Sequence, residues 1–161
     1  SIAKMVKNMS NFYRQCLNNG KLLVTVEEEV RLIEYYLEIQ NIRYQGKFEA
    51  KIDIEEQMLS MRMIKLILQP VVENAFYHGL EAKSEFGHLS VSGRLSGEYM
   101  IFQIMDDGVG FNPEITSTGY ALNNLQDRIL LYYGETCGVK IESTPMQGTT
   151  VTIKIMQNIC S

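Results

Sequence analysis

Apolar and polar positions change period several times along the chain. Residues 1 to 17 put Met5, Met9, Phe12 and Cys16 on one side of a helix, with Lys4, Lys7 and Arg14 elsewhere, and Asn18-Asn-Gly20 stops it. Thr25 reads as an N-cap, with Glu28 completing a capping box. Val26, Val30, Ile33 and Leu37 then hold one stripe to about Ile42. The acidic run Glu27 to Glu29 suits the positive end of that helix and reads as capping, not as a site. After Gly46, Phe48, Ala50, Ile52 and Ile54 alternate with polar residues, as in a half-buried strand. A connector from Glu55 to Ser60 leads into a central helix with Ile64, Leu68, Val71 and Ala75 on one apolar face. Pro70 either kinks that helix or opens its second half, and Gly79 occupies the usual C-terminal stop position.

Beyond a loop from Glu81 to Gly87, Leu89, Val91 and Leu95 alternate, Ser96-Gly-Glu98 turns, and Tyr99 to Met105 returns, which is a hairpin. Asn112 to Gly119 is polar and aperiodic, a loop. Helical spacing resumes from Leu122 to Tyr133 and ends at Gly134, and Val139 to Ile141 with Thr149 to Ile155 make a closing strand pair around Gly148. This order predicts an α+β chain, with helices packed on one face of a mainly antiparallel sheet.

Composition narrows the class without naming it. The 161 residues fit one domain large enough for its own core. A net charge of -4 argues against a nucleic-acid partner, which would call for a basic face. Cys16, Cys137 and Cys160 are scattered and odd in number, and read as small hydrophobes in a reducing compartment. No stretch reaches bilayer-spanning length, since Lys65 and Gln69 interrupt the apolar run from Met63 to Val72. No signal-peptide pattern is present, and the chain opens inside a helical pattern, as a piece of something longer would.

Four short stretches carry possible chemistry. In Leu68-Gln-Pro-Val-Val-Glu-Asn-Ala-Phe-Tyr-His-Gly79, Asn74 and His78 lie one helical turn apart, off the apolar face. Asn74 offers a neutral oxygen to a hard cation and His78 a contact to an anion, or both are ordinary solvated residues on a core helix. In Asp106-Asp-Gly-Val-Gly110 a carboxylate ends an apolar strand, and Gly108 and Gly110 permit a sharp turn close to a flat ligand. The same residues also make a plain tight turn. Gly119-Tyr-Ala-Leu-Asn-Asn124 runs from a loop into a helix whose backbone N–H groups can hold phosphates, at Gly119, Leu122 and Asn123, or it is a simple cap. Gly148-Thr-Thr150 opens the last strand, or is a simple turn. His88, beside a strand, reads as a solvated loop histidine.

Taken jointly and in this order, the four stretches resemble the ATP-binding domain of sensor histidine kinases, within the gyrase, Hsp90, histidine kinase and MutL superfamily. They are most similar to LytS-like kinases, whose pattern is carried by Tyr36-Leu-Glu-Ile-Gln-Asn-Ile-Arg-Tyr44, Leu68 to Ala75 with His78-Gly79, and Asp106 to Gly110. It continues through Leu122 to Arg128, Tyr133-Gly134 and Gly148-Thr149. The resemblance implies a two-layer α/β sandwich of the Bergerat type, with residues 25–158 as the ATP-binding catalytic domain and 1–24 as the end of an upstream helical region. It implies ATP and Mg²⁺ as ligands, with Asn74 on the metal and His78 near phosphate. Asp106 would take the adenine amino group, with Thr149 or Thr150 nearby through water and Gly108, Gly110 and Gly148 around it, and residues 112–119 would form the lid. Glu73 orients or deprotonates an incoming imidazole, or completes the metal shell.

The implied activity is a protein histidine kinase that phosphorylates a histidine upstream in the same protein, in cis or across a homodimer, and passes the group to a response regulator. The implied location is a cytoplasmic domain of a parent anchored in the bacterial cell membrane. Three departures stand out. Ala121 replaces a usual glycine, Ile64 replaces a frequent proline, and the Pro-His-Phe phosphoacceptor signature is missing. Two alternatives are a stand-alone ATPase or Ser/Thr kinase of the superfamily, disfavoured by Pro70 where such ATPases place a water-activating Glu, and a non-catalytic nucleotide sensor.

Overall fold

A computed structural model describes residues 2–17, 21–112 and 120–157, and of residues 11–17, 120 and 121 the backbone alone. The chain runs α1 (Ile2–Leu17), β1 (Leu23–Thr25), α2 (Val26–Arg43), β2 (Phe48–Ile54), β3 (Arg62–Ile64) and α3 (Leu68–Ala75). A π-turn over Phe76–Leu80 follows, then β4 (Gly87–Ser96), β5 (Tyr99–Asp106), α4 (Tyr120–Tyr133), β6 (Gly138–Thr144) and β7 (Gly148–Met156). The sheet order is β2-β4-β5-β7-β6, with β2 parallel to β4 and every other pairing antiparallel.

Alternation decides which face is covered. Leu89 and Val91 on β4, Phe102 and Ile104 on β5, and Val151 and Ile153 on β7 are buried and belong to one core with Ile33, Leu68, Val72, Leu125 and Ile129 of the helices. Their neighbours on the strands, Gln103 and Met105 among them, face outward. The expected sandwich with helices on one face is therefore what the residues build. Helix α1 packs on α2, where the Asn8 amide donates to Glu38 Oε2 at 2.8 Å.

The local stop and start signals behave as expected. Thr25 Oγ1 accepts the Glu28 N–H at 3.1 Å. Gly134, at φ +89, ends α4 with its N–H on Leu130 O at 3.0 Å. The central segment differs in two ways. Ile64 lies not on the central helix but on β3, which pairs with β1 as a separate small ribbon, and α3 begins only at Leu68 with Pro70 in its first turn. Gly79 does not cap α3 in the left-handed conformation; it sits buried inside the π-turn. The expected stop at residues 18–20 lies outside the described residues.

Candidate functional site

Strand β5 delivers Asp106 to the sheet end on the side of Ile104, which faces the helices. Its Oδ1 accepts the Gly108 N–H at 2.9 Å. The π-turn presses directly on this carboxylate, because a β-carbon on Gly79 would stand 2.6 Å from Asp106 Oδ1. One on Gly108 would stand 2.3 Å from the Gly79 carbonyl carbon. The Val109 N–H reaches Gly79 O at 3.2 Å and ties the two segments together. Burial pushes the Asp106 carboxyl up to about 6, against the Gly108 N–H and Lys83, which favour the charge; Asp107 beside it disfavours it.

Around Asp106 lies a small pocket. Val71, Ala75, Ile104 and Val151 give it apolar walls, while Asn74, His78, Asp106 and Thr149 bring polar groups to it. Gly79 and Phe111 complete the lining, and the enclosed volume is about 10 Å³. That is room for about one water, so a purine enters only if the walls, Phe111 included, part. Thr149 stands opposite Asp106 in the β5–β7 ladder. Its hydroxyl lies 2.7 Å from Ser143 Oγ, which also accepts the Phe111 N–H at 2.9 Å and donates to Gly148 O at 3.2 Å. Ser143 thus ties β6, β7 and the Asp-Gly segment into one frame. It is absent from the sequence-derived set, although continuing the Val139 and Ile141 alternation by one step puts it on the same face.

The two glycines flanking this frame need their conformations. Gly110, at φ +61, would drive a β-carbon to 2.1 Å from Thr144 O, and Gly148, at φ +112, to 2.1 Å from Asp106 O. Asn74, His78, Asp106 and Thr149 are therefore brought together, with Gly108, Gly110 and Gly148 as the turns that allow it. Glu73 does not line the pocket; it is exposed and accepts Gln69 Nε2 at 3.1 Å. Leu122 is a core side chain, 2% exposed, and Asn123 is exposed, so what they offer a ligand is main chain in the first turn of α4. Gly119 and the lid segment 113–119 lie outside the described residues.

His88 is not a loop residue but part of β4, paired with Asp107. Its N–H donates to Asp107 Oδ1 at 2.7 Å, its Nδ1 lies 2.7 Å from Oδ2, and Lys83 Nζ is 3.2 Å from Oδ2. Partial burial pushes the Asp107 carboxyl up, yet the His88 and Lys83 hydrogen bonds outweigh it and hold it below its usual range. A far larger cleft, about 800 Å³, opens on the outer sheet face among Glu49, Lys51, His88, Met105, Asp107 and Glu142. Size favours that cleft; convergence of polar groups on apolar walls favours the small pocket, and convergence is what recognition of a base requires.

Residues 61–159, more than half of the chain, match the family of histidine kinase-, DNA gyrase B-, and HSP90-like ATPases. The chain belongs to this family. Residues 1–48 of this ATPase-family chain match a histidine kinase family as well. The sensor histidine kinase BtsS of Escherichia coli K12 is 26% identical over 153 residues, 95% of this chain and 27% of BtsS. YesM of Bacillus subtilis is 28% identical over 158 residues, 96% of this chain and 27% of YesM. LytS of Bacillus anthracis is 27% identical over 169 residues, 97% of this chain and 29% of LytS. The chain spans little more than a quarter of the length of these curated relatives. The catalytic domain of histidine kinase ThkA shares the fold, with a TM-score of 0.62 at 13% identity over 86% of this chain and 97% of that one. ThkA in complex with the response regulator protein TrrA matches with a TM-score of 0.63 at 12% identity, covering 98% and 49%. The small pocket accordingly sits in an ATP-binding domain of the histidine kinase type.

Proposed function

We propose that this chain is the catalytic part of a two-component sensor histidine kinase. It takes the γ-phosphoryl group of ATP and passes it to a histidine upstream in the same protein, in cis or across a homodimer, from which a response regulator receives it. The carrying observation is that Asn74, His78, Asp106 and Thr149 meet at one pocket in a chain of the histidine kinase-type ATPase family. The adenine base enters between α3 and β7. Its exocyclic amino group donates to Asp106, and Thr149, whose hydroxyl can donate to Ser143, keeps acceptor capacity for a bridging water. Gly79 packs directly on the carboxylate and Gly108 on the Gly79 main chain, so the ring gains its space only as the walls of the pocket part.

The donor set fits Mg²⁺ in one particular way. Among the described residues no group of three His, Cys, Asp or Glu could hold a metal alone. Asn74, half-exposed at the pocket, supplies one hard oxygen, and Mg²⁺ commonly completes its shell from phosphate oxygens and water. Bound there, Mg²⁺ would supply positive charge to the phosphates, and transfer would rely mainly on positioning and that electrostatic support. His78 contacts the phosphates, and main-chain N–H groups at Leu122 and Asn123, in the first turn of α4, cradle them. Glu73, exposed beside Asn74, is placed to meet an incoming imidazole. The parent protein is anchored in the bacterial membrane through segments outside this chain; among the described residues no helix is long and apolar enough to cross one.

The test is transfer. A chain extended upstream to include the acceptor helix gains acid-labile phosphate from labelled Mg-ATP, and the extended Asp106→Ala chain does not. ATP hydrolysis by the extended chain without labelling would instead make it an ATPase.

A further inference from the structure

Helix α3 carries Asn74, yet it is only eight residues long, Leu68 to Ala75. A helix that short has almost no stability of its own, so whatever holds its ends decides where Asn74 lies. Its start is poorly provided for locally. Ile67 gives no side-chain cap, so the N–H groups of the first turn need partners from elsewhere. Leu66 just before it adopts φ +59, a left-handed conformation that strains a residue with a β-carbon.

What holds this start comes from two other helices. Glu29 of α2 is 2% exposed; its Oε1 accepts the Leu66 N–H at 2.6 Å and its Oε2 the Leu68 N–H at 3.2 Å. Arg128 of α4 forks over the same turn, with Nη1 on Leu66 O at 2.8 Å and Nη2 on Lys65 O at 2.7 Å. The buried Tyr133 hydroxyl accepts the Ile64 N–H at 2.9 Å. Burial pushes the Glu29 carboxyl up, opposed by the Leu66, Leu68 and Ile67 N–H groups and by Arg128. The acidic run that reads as the cap of α2 therefore contains one member that caps α3.

We propose that Glu29 is a positioning residue for the Mg-ATP site, fixing the start of α3 and thereby the side chain of Asn74. The proposal rests on the nucleotide reading above. The π-turn that follows α3 is pinned independently, where Gly79 O meets the Val109 N–H. Asn74 lies five residues before that pin, about 7.5 Å at 1.5 Å per residue. A tilt of about 10° about the pin, on loss of the Glu29 anchor, moves Asn74 by about 1 Å, enough to spoil a coordination distance that tolerates about 0.2 Å. Asp106 sits at the pin itself and does not move. Because α1 packs on α2 through Asn8 and Glu38, the same anchor ties the upstream helix to Asn74.

The experiment is calorimetric titration of the chain with adenosine, with ATP, and with ATP plus Mg²⁺. It compares wild type, Glu29→Gln and Tyr133→Phe, with circular dichroism as the check of folding. Glu29→Gln keeps volume and one acceptor oxygen but turns an NH₂ toward the other main-chain N–H. Tyr133→Phe keeps the packed ring and removes the hydroxyl alone. The expected result is a loss of about tenfold in the Mg²⁺-dependent gain of ATP affinity for Glu29→Gln, and of about threefold for Tyr133→Phe, with adenosine affinity within twofold of wild type. A wild-type Mg²⁺ gain in the folded variants overturns the proposal, as does an equal loss for adenosine and ATP, which marks a general packing defect. If Glu29→Gln does not fold, Tyr133→Phe alone decides on the same criteria. A wild-type chain that gains nothing from Mg²⁺ overturns the nucleotide reading itself.

Discussion

Replacing Gly79 by alanine tests how closely the Asp106 carboxylate, proposed to bind the base, is packed. The added β-carbon falls 2.6 Å from Asp106 Oδ1 and 3.1 Å from its Cγ, well inside contact distance. Aspartate is short, and the same oxygen accepts the Gly108 N–H at 2.9 Å, so the carboxylate cannot swing away without losing that bond. Nor can the π-turn retreat freely, since Gly108 packs on the Gly79 main chain. Overpacking of this kind costs about 1–3 kcal/mol. If the strain is relieved by displacing the carboxylate, adenosine affinity falls by roughly 5- to 150-fold. The assay is calorimetry with adenosine, which has no phosphates or metal to confuse the reading, and thermal melting reports any strain left in the free protein. Adenosine affinity within twofold of wild type, in a folded Gly79→Ala chain, would refute the reasoning.

Asn74→Ala leaves adenosine affinity nearly unchanged and abolishes the gain in ATP affinity on adding Mg²⁺; an undiminished gain would place the ion elsewhere. The Asp106 carboxyl, raised from 3.8 to about 6, is the stronger acceptor for the proposed adenine contact when ionised. ATP affinity therefore rises with pH through about 6, and over the same interval this group's contribution to the stability of the free chain falls, because the folded form holds its proton longer. A flat affinity profile between about pH 5 and about pH 7 would contradict this. The chain as it stands takes no acid-labile phosphate from labelled ATP, and stoichiometric labelling of His78 or His88 would overturn the view that the acceptor lies upstream.

Much of this was legible because it is local. The alternation at Phe48 to Ile54 and along the Leu89 to Met105 hairpin, the Thr25 cap and the Gly134 stop depend on neighbours a few residues away, and the structure has them in place. Met63 and Ile64 are a different case. They are apolar and buried in either a strand or a helix, and pairing with Leu23 and Val24 decides between the two. Gly79 has the position of a helix stop, and its actual constraint, contact with Asp106 and Gly108, comes from another element. Glu29 carried a signal that neighbouring acids concealed. Three residues after Val26 and four before Ile33, it lies on the buried stripe of α2, whereas Glu27 is exposed. Within the site, Asn74, His78, Asp106 and Thr149 were found through a motif, while Ser143 belongs to no motif and is placed by strand register.

The central claim is that Asp106 forms the base-recognition end of a Mg-ATP site. Titration of wild type and Asp106→Ala with a non-hydrolysable ATP analogue in Mg²⁺ tests it most directly. A hydrogen bond to a charged acceptor is worth about 1.5–3 kcal/mol, so the variant binds roughly 10- to 150-fold more weakly while its circular dichroism stays that of wild type. Equal affinities in a folded variant would remove Asp106 from the site.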